Sequence, residues 1–427
     1  MIRISCKNER FTYDMYHIVK SFLPDAAISQ KVDPEQELLI EMTAEEEPDL
    51  EMQTSDEKVR WTFFRCREAE IADISEKREQ KRYINKKLYQ TLSEKTGEEH
   101  AWGNMTGVRP TKMIMERLEE GSSEEEIIRY MHDTYVVSEK KAKLGIEIAK
   151  REKAQLDKLD YENGYSLYIG IPFCPTTCSY CSFTSYPVAK WQERMDEYVD
   201  ALLKELAFFS EVSKEKNLNA IYMGGGTPTT LSAEQMDKVL GFLETHFSFE
   251  HLKEYTIEAG RPDSITEEKL RVIRGHGVGR ISINPQTMQQ KTLDVIGRRH
   301  TVDDVVRIFR LARELGFDNI NMDLIAGLPG EHPEDMEDTL RQIKALSPDS
   351  LTVHALAMKH GSRLTRERAE STEKPNYKQM ARELEEMIDM ARKAADEMGL
   401  FPYYLYRQKN IAGNFENVGY AKVDKAG

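Results

Sequence analysis

Cysteine is scarce in this chain, with five among 427 residues, too few for a disulfide scaffold at this length. No run of about 18 apolar residues occurs, so no membrane-spanning helix is expected. The opening residues, MIRISCKNERFTYDMYHIVK, lack the basic-then-apolar order of a signal peptide. A cytoplasmic location is therefore the expectation. Basic charge is also in deficit, 60 Lys and Arg against 74 Asp and Glu, for a net charge of −14. Such a surface repels phosphate-rich partners on average, which argues against nucleic acid or a membrane surface as partner. Short repeats and low-complexity tracts are missing too. What remains is the composition of a globular enzyme, 40% hydrophobic and long enough for two or three domains.

Residues 1–75 read as a small α+β module, with apolar runs at 1–4, 38–42 and 61–64 separated by acidic loops. Residues 76–160 read as a charged helical region and linker, interrupted by Trp102-Gly-Asn-Met-Thr-Gly-Val-Arg-Pro110, whose Gly and Pro break any helix. Beyond this the texture changes. Six short apolar runs, at 166–171, 220–223, 255–258, 280–283, 319–325 and 350–354, alternate with helical stretches near 192–214, 233–247, 266–275, 301–316, 334–345 and 376–398. That alternation predicts repeated β/α units around a parallel sheet. Six units are fewer than the eight of a closed barrel. The expected fold is thus α/β, a partial (β/α)6 barrel over 161–400 behind a small α+β and helical N-terminal region, with its chemistry at the C-terminal strand ends.

The first barrel strand runs into Phe173-Cys174-Pro-Thr-Thr-Cys178-Ser-Tyr-Cys181. Three thiolates with gaps of three and two residues can wrap one face of a [4Fe–4S] cube and leave the fourth iron open. The competing reading is zinc, which in a structural site wants four ligands; the nearest histidines, His132 and His246, lie far off in the chain. Cys6 and Cys66 stand alone and read as small buried hydrophobes.

With the triplet preceded by Tyr168-Ile-Gly-Ile-Pro-Phe-Cys174, the chain resembles the radical S-adenosylmethionine enzymes. Gly224-Gly-Gly-Thr-Pro-Thr229, Thr256-Ile-Glu258, Arg280-Ile-Ser-Ile-Asn-Pro-Gln286, Ile296-Gly-Arg298-Arg-His300 and Met322-Asp-Leu-Ile-Ala-Gly-Leu-Pro329 follow in order. This series, over roughly residues 160–420, resembles the oxygen-independent coproporphyrinogen III oxidase family (HemN/HemW-like), nearest its HemZ-type branch. The resemblance implies Cys174, Cys178 and Cys181 as cluster ligands and S-adenosylmethionine, in one copy or two, as cofactor. It implies contacts to a first S-adenosylmethionine from Tyr168, Gly225 and Glu258, and to a second from Tyr180, Gly226, Thr227, Gln286, Arg298, Asp323 and Ala357. It further implies a reduced flavodoxin- or ferredoxin-type electron donor and a porphyrinogen substrate. Two propionates of coproporphyrinogen III would each lose carbon dioxide to leave vinyl groups, giving protoporphyrinogen IX of heme biosynthesis.

The glycine loop reads either as a close approach to the cofactor or as a tight turn. Because the substrate carries four carboxylates, Arg261, Arg299 and His300 are candidate partners; for Arg261 and Arg299 a solvated surface role is the alternative. The stretch Tyr403-Tyr-Leu-Tyr-Arg-Gln-Lys-Asn410 with Asn417-Val-Gly-Tyr420 resembles a late cavity segment, aromatic packing being the other reading. Family members continue into a further C-terminal domain, so residues 401–427 are expected to begin a substrate-cavity segment that is cut short. Two positions depart from relatives: Phe183 stands where some carry a fourth cysteine, and Gly170 where others carry histidine. Heme-chaperone members share an aromatic at the first of these but usually carry a late His-Asn-x-x-Tyr-Trp pattern. The Asn417-Val-Gly-Tyr420 segment has no histidine nearby. Of the alternatives to an oxidase, a heme chaperone and a radical enzyme on another substrate, this difference weighs against the chaperone. Residues 1–160 have no counterpart in the best-known oxidases of the family but fit its HemZ-type branch, as a cover for the cluster or a dock for an electron donor.

Overall fold

Strict alternation builds the first strand, β1 (Ile2–Cys6): Ile2, Ile4 and Cys6 go inward while Arg3 and Ser5 do not. In the computed structural model, which describes all residues except 25, 45–60, 360, 371–375, 409–412, 414 and 427, helix α1 (Thr12–Phe22) follows it. Strand β2 (Ile28–Val32) pairs parallel to β1, β3 (Ile40–Ala44) antiparallel to β1, and β4 (Trp61–Cys66) antiparallel to β3. Helix α2 (Lys77–Thr96) lays Ile84, Leu88, Tyr89 and Leu92 on the same core as Phe11, Met15 and Phe22 of the sheet's own helix layer. It stops at Gly97, whose φ of 67° suits a left-handed cap. Cys6 and Cys66 lie fully buried in this core, and burial pushes their thiols up to about 12 and about 11.

Three helices complete the series, α3 (Pro110–Glu119), α4 (Glu124–Tyr135) and α5 (Glu139–Leu156). The glycine-rich break ahead of α3 is a built loop. Trp102 is fully buried, a Cβ on Gly103 would lie 2.0 Å from the Tyr135 carbonyl, and Arg407 donates to the Met105 and Gly107 carbonyls at 2.8 and 3.3 Å. The chain thus forms one unit of Met1–Glu147 with Tyr406–Phe415 and a second of Ile148–Leu405 with Glu416–Gly427.

The second unit is the barrel. Strand β5 (Gly164–Ile171) leads to a two-residue parallel pair, β6 (Phe173–Cys174) with β7 (Tyr186–Pro187). The units then repeat: α6 (Met195–Val212), β8 (Asn217–Gly225), α7 (Ala233–His246), β9 (Glu254–Gly260), α8 (Glu267–Gly275), β10 (Arg280–Ile283), α9 (Gln290–Val295), α10 (Val302–Glu314), β11 (Ile320–Ala326), α11 (Pro333–Leu346) and β12 (Ser350–Ala355). After α12 (Arg363–Glu370) and α13 (Tyr377–Glu397) come β13 (Phe401–Arg407) and β14 (Glu416–Ala421). The sheet order is β13-β14-β12-β11-β10-β9-β8-β5, with six parallel strands in sequence order and β14 antiparallel to β12. All six expected barrel strands are present, in a curled, partly closed sheet. Residues 401–427, expected to begin a cavity segment, supply two further strands of this sheet; Lys409 and Asn410 of that stretch lie outside the described residues.

Period two divides the wall. Ile221, Met223, Ile257, Ile281, Met322, Leu324, Leu351 and Val353 form the apolar set. Tyr222, Thr256, Glu258, Arg280, Asn321, Asp323, Thr352 and His354 alternate with them and share the opposite face. Among the described residues no helix is long and apolar enough to cross a membrane.

Candidate functional site

The cysteine loop leaves β5 through Pro172 and is closed by the β6–β7 pair. Two staples hold its middle: Thr176 Oγ1 donates to the Gly297 carbonyl at 2.8 Å, and the Ser179 amide to that of Ile296 at 2.9 Å. The loop thereby presents three sulfurs together, Cys174 and Cys178 buried and Cys181 half-buried. Burial is the largest cause raising the Cys174 and Cys181 thiols, and the neighbouring sulfurs add to it. Such a set of thiolates is stable only against cationic charge. Among the described residues no three His, Cys, Asp or Glu side chains converge closely enough for a single metal ion. Three cysteines on one loop are the donor set of a cluster held at three corners and one short of the four that a structural zinc site takes.

Glycine is required where β8 ends. A Cβ on Gly226 would fall 2.5 Å from the Phe173 carbonyl oxygen and 2.9 Å from that of Ile171, while the Gly226 and Thr227 amides donate to those same two oxygens at 2.8 and 2.7 Å. Gly225 sits at φ 107°, a left-handed value. The loop is thus pressed on the cysteine strand, and Thr227 Oγ1 comes to 3.4 Å from Cys174 Sγ. This glycine loop is a tight turn that lies directly against the cysteine strand.

Below the loop lies the polar face of the barrel. Burial pushes the Glu258 carboxyl up to about 7; the charge of Asp323 adds to this, and the Gly225 amide and Arg280 oppose it. Burial also disfavours charge on Asp323, but His354, Asn321 and Arg280 hold that carboxyl below its ordinary value. Asn321 Nδ2 donates to Asp323 Oδ1 at 2.7 Å, and His354 Nε2 lies 3.9 Å from Oδ2. Two carboxyls of one site are thus driven apart, one charged and one poised to exchange a proton near neutrality. Tyr168, 61% exposed, stacks on Tyr222 with ring centres 5.9 Å apart. Its phenol is raised by burial and by Glu258.

Gln286 has a left-handed φ of 70°, rare for a side-chain-bearing residue. Its backbone bridges to β11: the Gln286 amide donates to the Asp323 carbonyl at 2.9 Å, and the Gln286 carbonyl accepts the Ile325 amide at 2.9 Å. Its Oε1 and the Asn284 Oδ1 are buried without a hydrogen-bond partner among the described residues, and so is Arg298 Nε. The other Arg298 donors reach the Asn284 carbonyl at 2.5 Å and Tyr180 Oη at 3.4 Å. Unpaired buried groups are costly; here they cluster where a polar ligand would satisfy them. Ala357, also buried, follows β12 at the same strand-end level.

The three arginine and histidine candidates separate. Arg299 is exposed, with no hydrogen-bond or ion-pair partner among the described residues. Arg261 and His300 are buried, 3% and 1% exposed, behind the cysteine loop. Arg261 grips Asp263 with both ends of its fork, Nε to Oδ1 at 3.0 Å and Nη2 to Oδ2 at 2.6 Å. Burial raises the Asp263 carboxyl, but the nearby His300 and the fork of Arg261 hold it well below the usual carboxylate range. Burial is likewise the largest cause lowering His300.

Sequence reasoning passed over Asp263, Tyr222, Arg280 and His354. Period two would have found three of them. Tyr222, Thr256 and Arg280 are in register across β8, β9 and β10, and His354 is two residues past Thr352, which pairs with Asp323.

An open half-barrel with three cysteines after its first strand and a glycine loop after its second defines a radical SAM protein. The model of the radical SAM superfamily matches residues 168–343. The chain is 41% identical to the oxygen-independent coproporphyrinogen-III oxidase-like protein HemZ of Bacillus subtilis over 82% of its own length and 70% of that protein's. It is 37% identical to the heme chaperone HemW of B. subtilis, over 45% of this chain and 50% of that one. The solved coproporphyrinogen III oxidase HemN of Escherichia coli shares the fold, with a TM-score of 0.50 at 24% identity, covering 63% of this chain and 58% of that one. The chain belongs to the oxygen-independent coproporphyrinogen III oxidase-like family of HemZ, with a [4Fe–4S] cluster and S-adenosylmethionine as cofactors.

Proposed function

We propose that the chain removes carbon dioxide from the propionates of coproporphyrinogen III without oxygen, leaving vinyl groups. The single observation that carries this reading is the 41% identity to HemZ, which runs through both the barrel and the N-terminal region. When bound, a reduced cluster supplies the electron that cleaves S-adenosylmethionine and so starts hydrogen abstraction from the substrate. The chain's own part is positional. Cys174, Cys178 and Cys181 hold the cluster, and Tyr168, Gly225 and Glu258 receive one S-adenosylmethionine. Tyr180, Gly226, Thr227, Gln286, Arg298, Asp323 and Ala357 are suited to a second. Glu258, poised to exchange its proton near pH 7, accepts hydrogen bonds from ribose or ammonium when charged. Arg299, exposed and without a partner among the described residues, is the substrate-carboxylate partner of the three candidates. The electron comes from a reduced flavodoxin- or ferredoxin-type protein.

The late segment favours the oxidase over a chaperone. Residues 401–427 contain no histidine or cysteine that could serve as an axial heme ligand. In place of such a ligand, Asn417 Oδ1 accepts the Ala355 amide at 2.9 Å and Tyr420 is 2% exposed, so both act in packing β14 on β12.

The test is an anaerobic assay of the reconstituted chain with dithionite, S-adenosylmethionine and coproporphyrinogen III, read by mass spectrometry, with Cys178→Ser as the blank. Expected are 5′-deoxyadenosine and a porphyrin lighter by one or two carbon dioxide losses, both missing from the blank. Deoxyadenosine without a change in the porphyrin would overturn the substrate assignment.

A further inference from the structure

We propose that Arg261 is a positioning residue for the cluster, a fixed buried cation that holds the cysteine loop and raises the cluster's reduction potential through the sulfur of Cys178, with Asp263 as its opposing charge. The proposal rests on the reading of Cys174, Cys178 and Cys181 as cluster ligands.

Its geometry is specific. Arg261 follows β9 by one residue, where Gly260 turns at φ 71°, and its side chain runs back beneath the loop. Nη1 donates to the Thr176 carbonyl at 2.8 Å and to Thr176 Oγ1 at 2.7 Å, and lies 3.9 Å from Cys178 Sγ. Nε and Nη2 each donate to Asp263. All three nitrogens of the fork are engaged and the side chain is only 4% exposed, which leaves a substrate carboxylate no bidentate approach. His300 Nδ1 lies 3.9 Å from Asp263 on the far side.

A buried ion pair is weak as a source of stability, because desolvating both charges offsets their attraction. A pair kept against a cofactor sulfur acts instead on the cofactor. Reduction adds one negative charge to the cluster, and a fixed cation within hydrogen-bonding reach of a ligand sulfur favours that state. A carboxylate close behind works in the opposite direction. The two residues therefore push the potential oppositely, a signature that general damage to the loop would not produce.

The experiment is a potentiometric titration followed by electron paramagnetic resonance on the full chain, with iron and sulfide counted first, for wild type, Arg261→Gln, Arg261→Lys and Asp263→Asn. Expected are a midpoint shifted to more negative values in Arg261→Gln, a smaller shift the same way in Arg261→Lys, and a shift to less negative values in Asp263→Asn. An Arg261→Gln chain that loads four irons and titrates like wild type overturns the proposal. So does an Asp263→Asn midpoint that stays put or falls, and this second variant decides the matter if Arg261→Gln fails to load. A wild-type chain that takes up no four-iron cluster removes the site reading itself, and the proposal with it.

Discussion

Gly226 shows how much one missing methyl can carry. Any side chain there meets two backbone carbonyls, and the neighbouring amides bond to the same two oxygens, so neither partner can move away cheaply. Gly226→Ala is expected to cost about 1–3 kcal/mol of stability as an overpacked substitution. It should also loosen Thr227 from Cys174, so that less iron is retained after reconstitution. Thermal unfolding and iron content measure both effects. Gly275→Ala is the control, since nothing lies within 4 Å of its added methyl, and should leave iron content unchanged. At this scale the three cysteines were legible because their spacing alone fits a cluster. Arg261 was legible only as a candidate partner of a substrate carboxylate or as a solvated charge. Its burial depends on Asp263 two residues on and on Thr176 far back in the chain, and no local pattern announces that meeting.

Elements read well where local signals and periodicity agree. Helix α10 is an example: Thr301 caps it by accepting the Asp304 amide at 3.1 Å, Asp304 returns a bond to the Thr301 amide at 3.0 Å, and Val305, Ile308, Phe309 and Ala312 follow on one face. Bonds from Arg307 and then Thr301 hold the Asp304 carboxyl down at about 2. Thr301→Ala should cost about 0.5–2 kcal/mol, checked by chemical denaturation at pH 7. Because Asp304 is depressed, its stabilising contribution is complete above its unfolded value near 4 and fades as pH falls toward 2. Strand β2 escaped notice for the converse reason. It is an edge strand whose residues are half-buried or exposed, so no apolar run marks Ile28–Val32. Strands β13 and β14 escaped because aromatic and polar residues there serve a cavity wall and a sheet equally well, and the antiparallel pairing of β14 with β12 is decided by partners, not by local sequence.

Across the whole chain, the two units carry buried titratable groups of opposite sense. In the first, His100 stacks on Phe22 with ring centres 4.1 Å apart and is 5% exposed. Burial, and then the charge of Arg407, lower it to about 4. The unfolded chain binds this proton near pH 6.5 and the folded unit does not. Stability is therefore whole above 6.5 and falls as pH drops toward 4, by on the order of 3 kcal/mol at about 1.4 kcal/mol per unit. In the barrel, Glu258 is raised to about 7, so there the folded state holds the extra proton between roughly 4.5 and 7. The sign reverses: this contribution is present at low pH and is lost as pH rises through 7. Acidification from pH 7 to 5 should thus weaken the first unit while Glu258 strengthens the second, separating their unfolding transitions. Amide hydrogen exchange on the intact chain at the two pH values reads each unit by its own peptides. His100→Phe should remove the loss of protection around α1 and α2, and Glu258→Gln should flatten the barrel's response without touching the first unit. Equal losses in both units at pH 5, with neither variant altering them, would mean that general carboxylate protonation outweighs both groups.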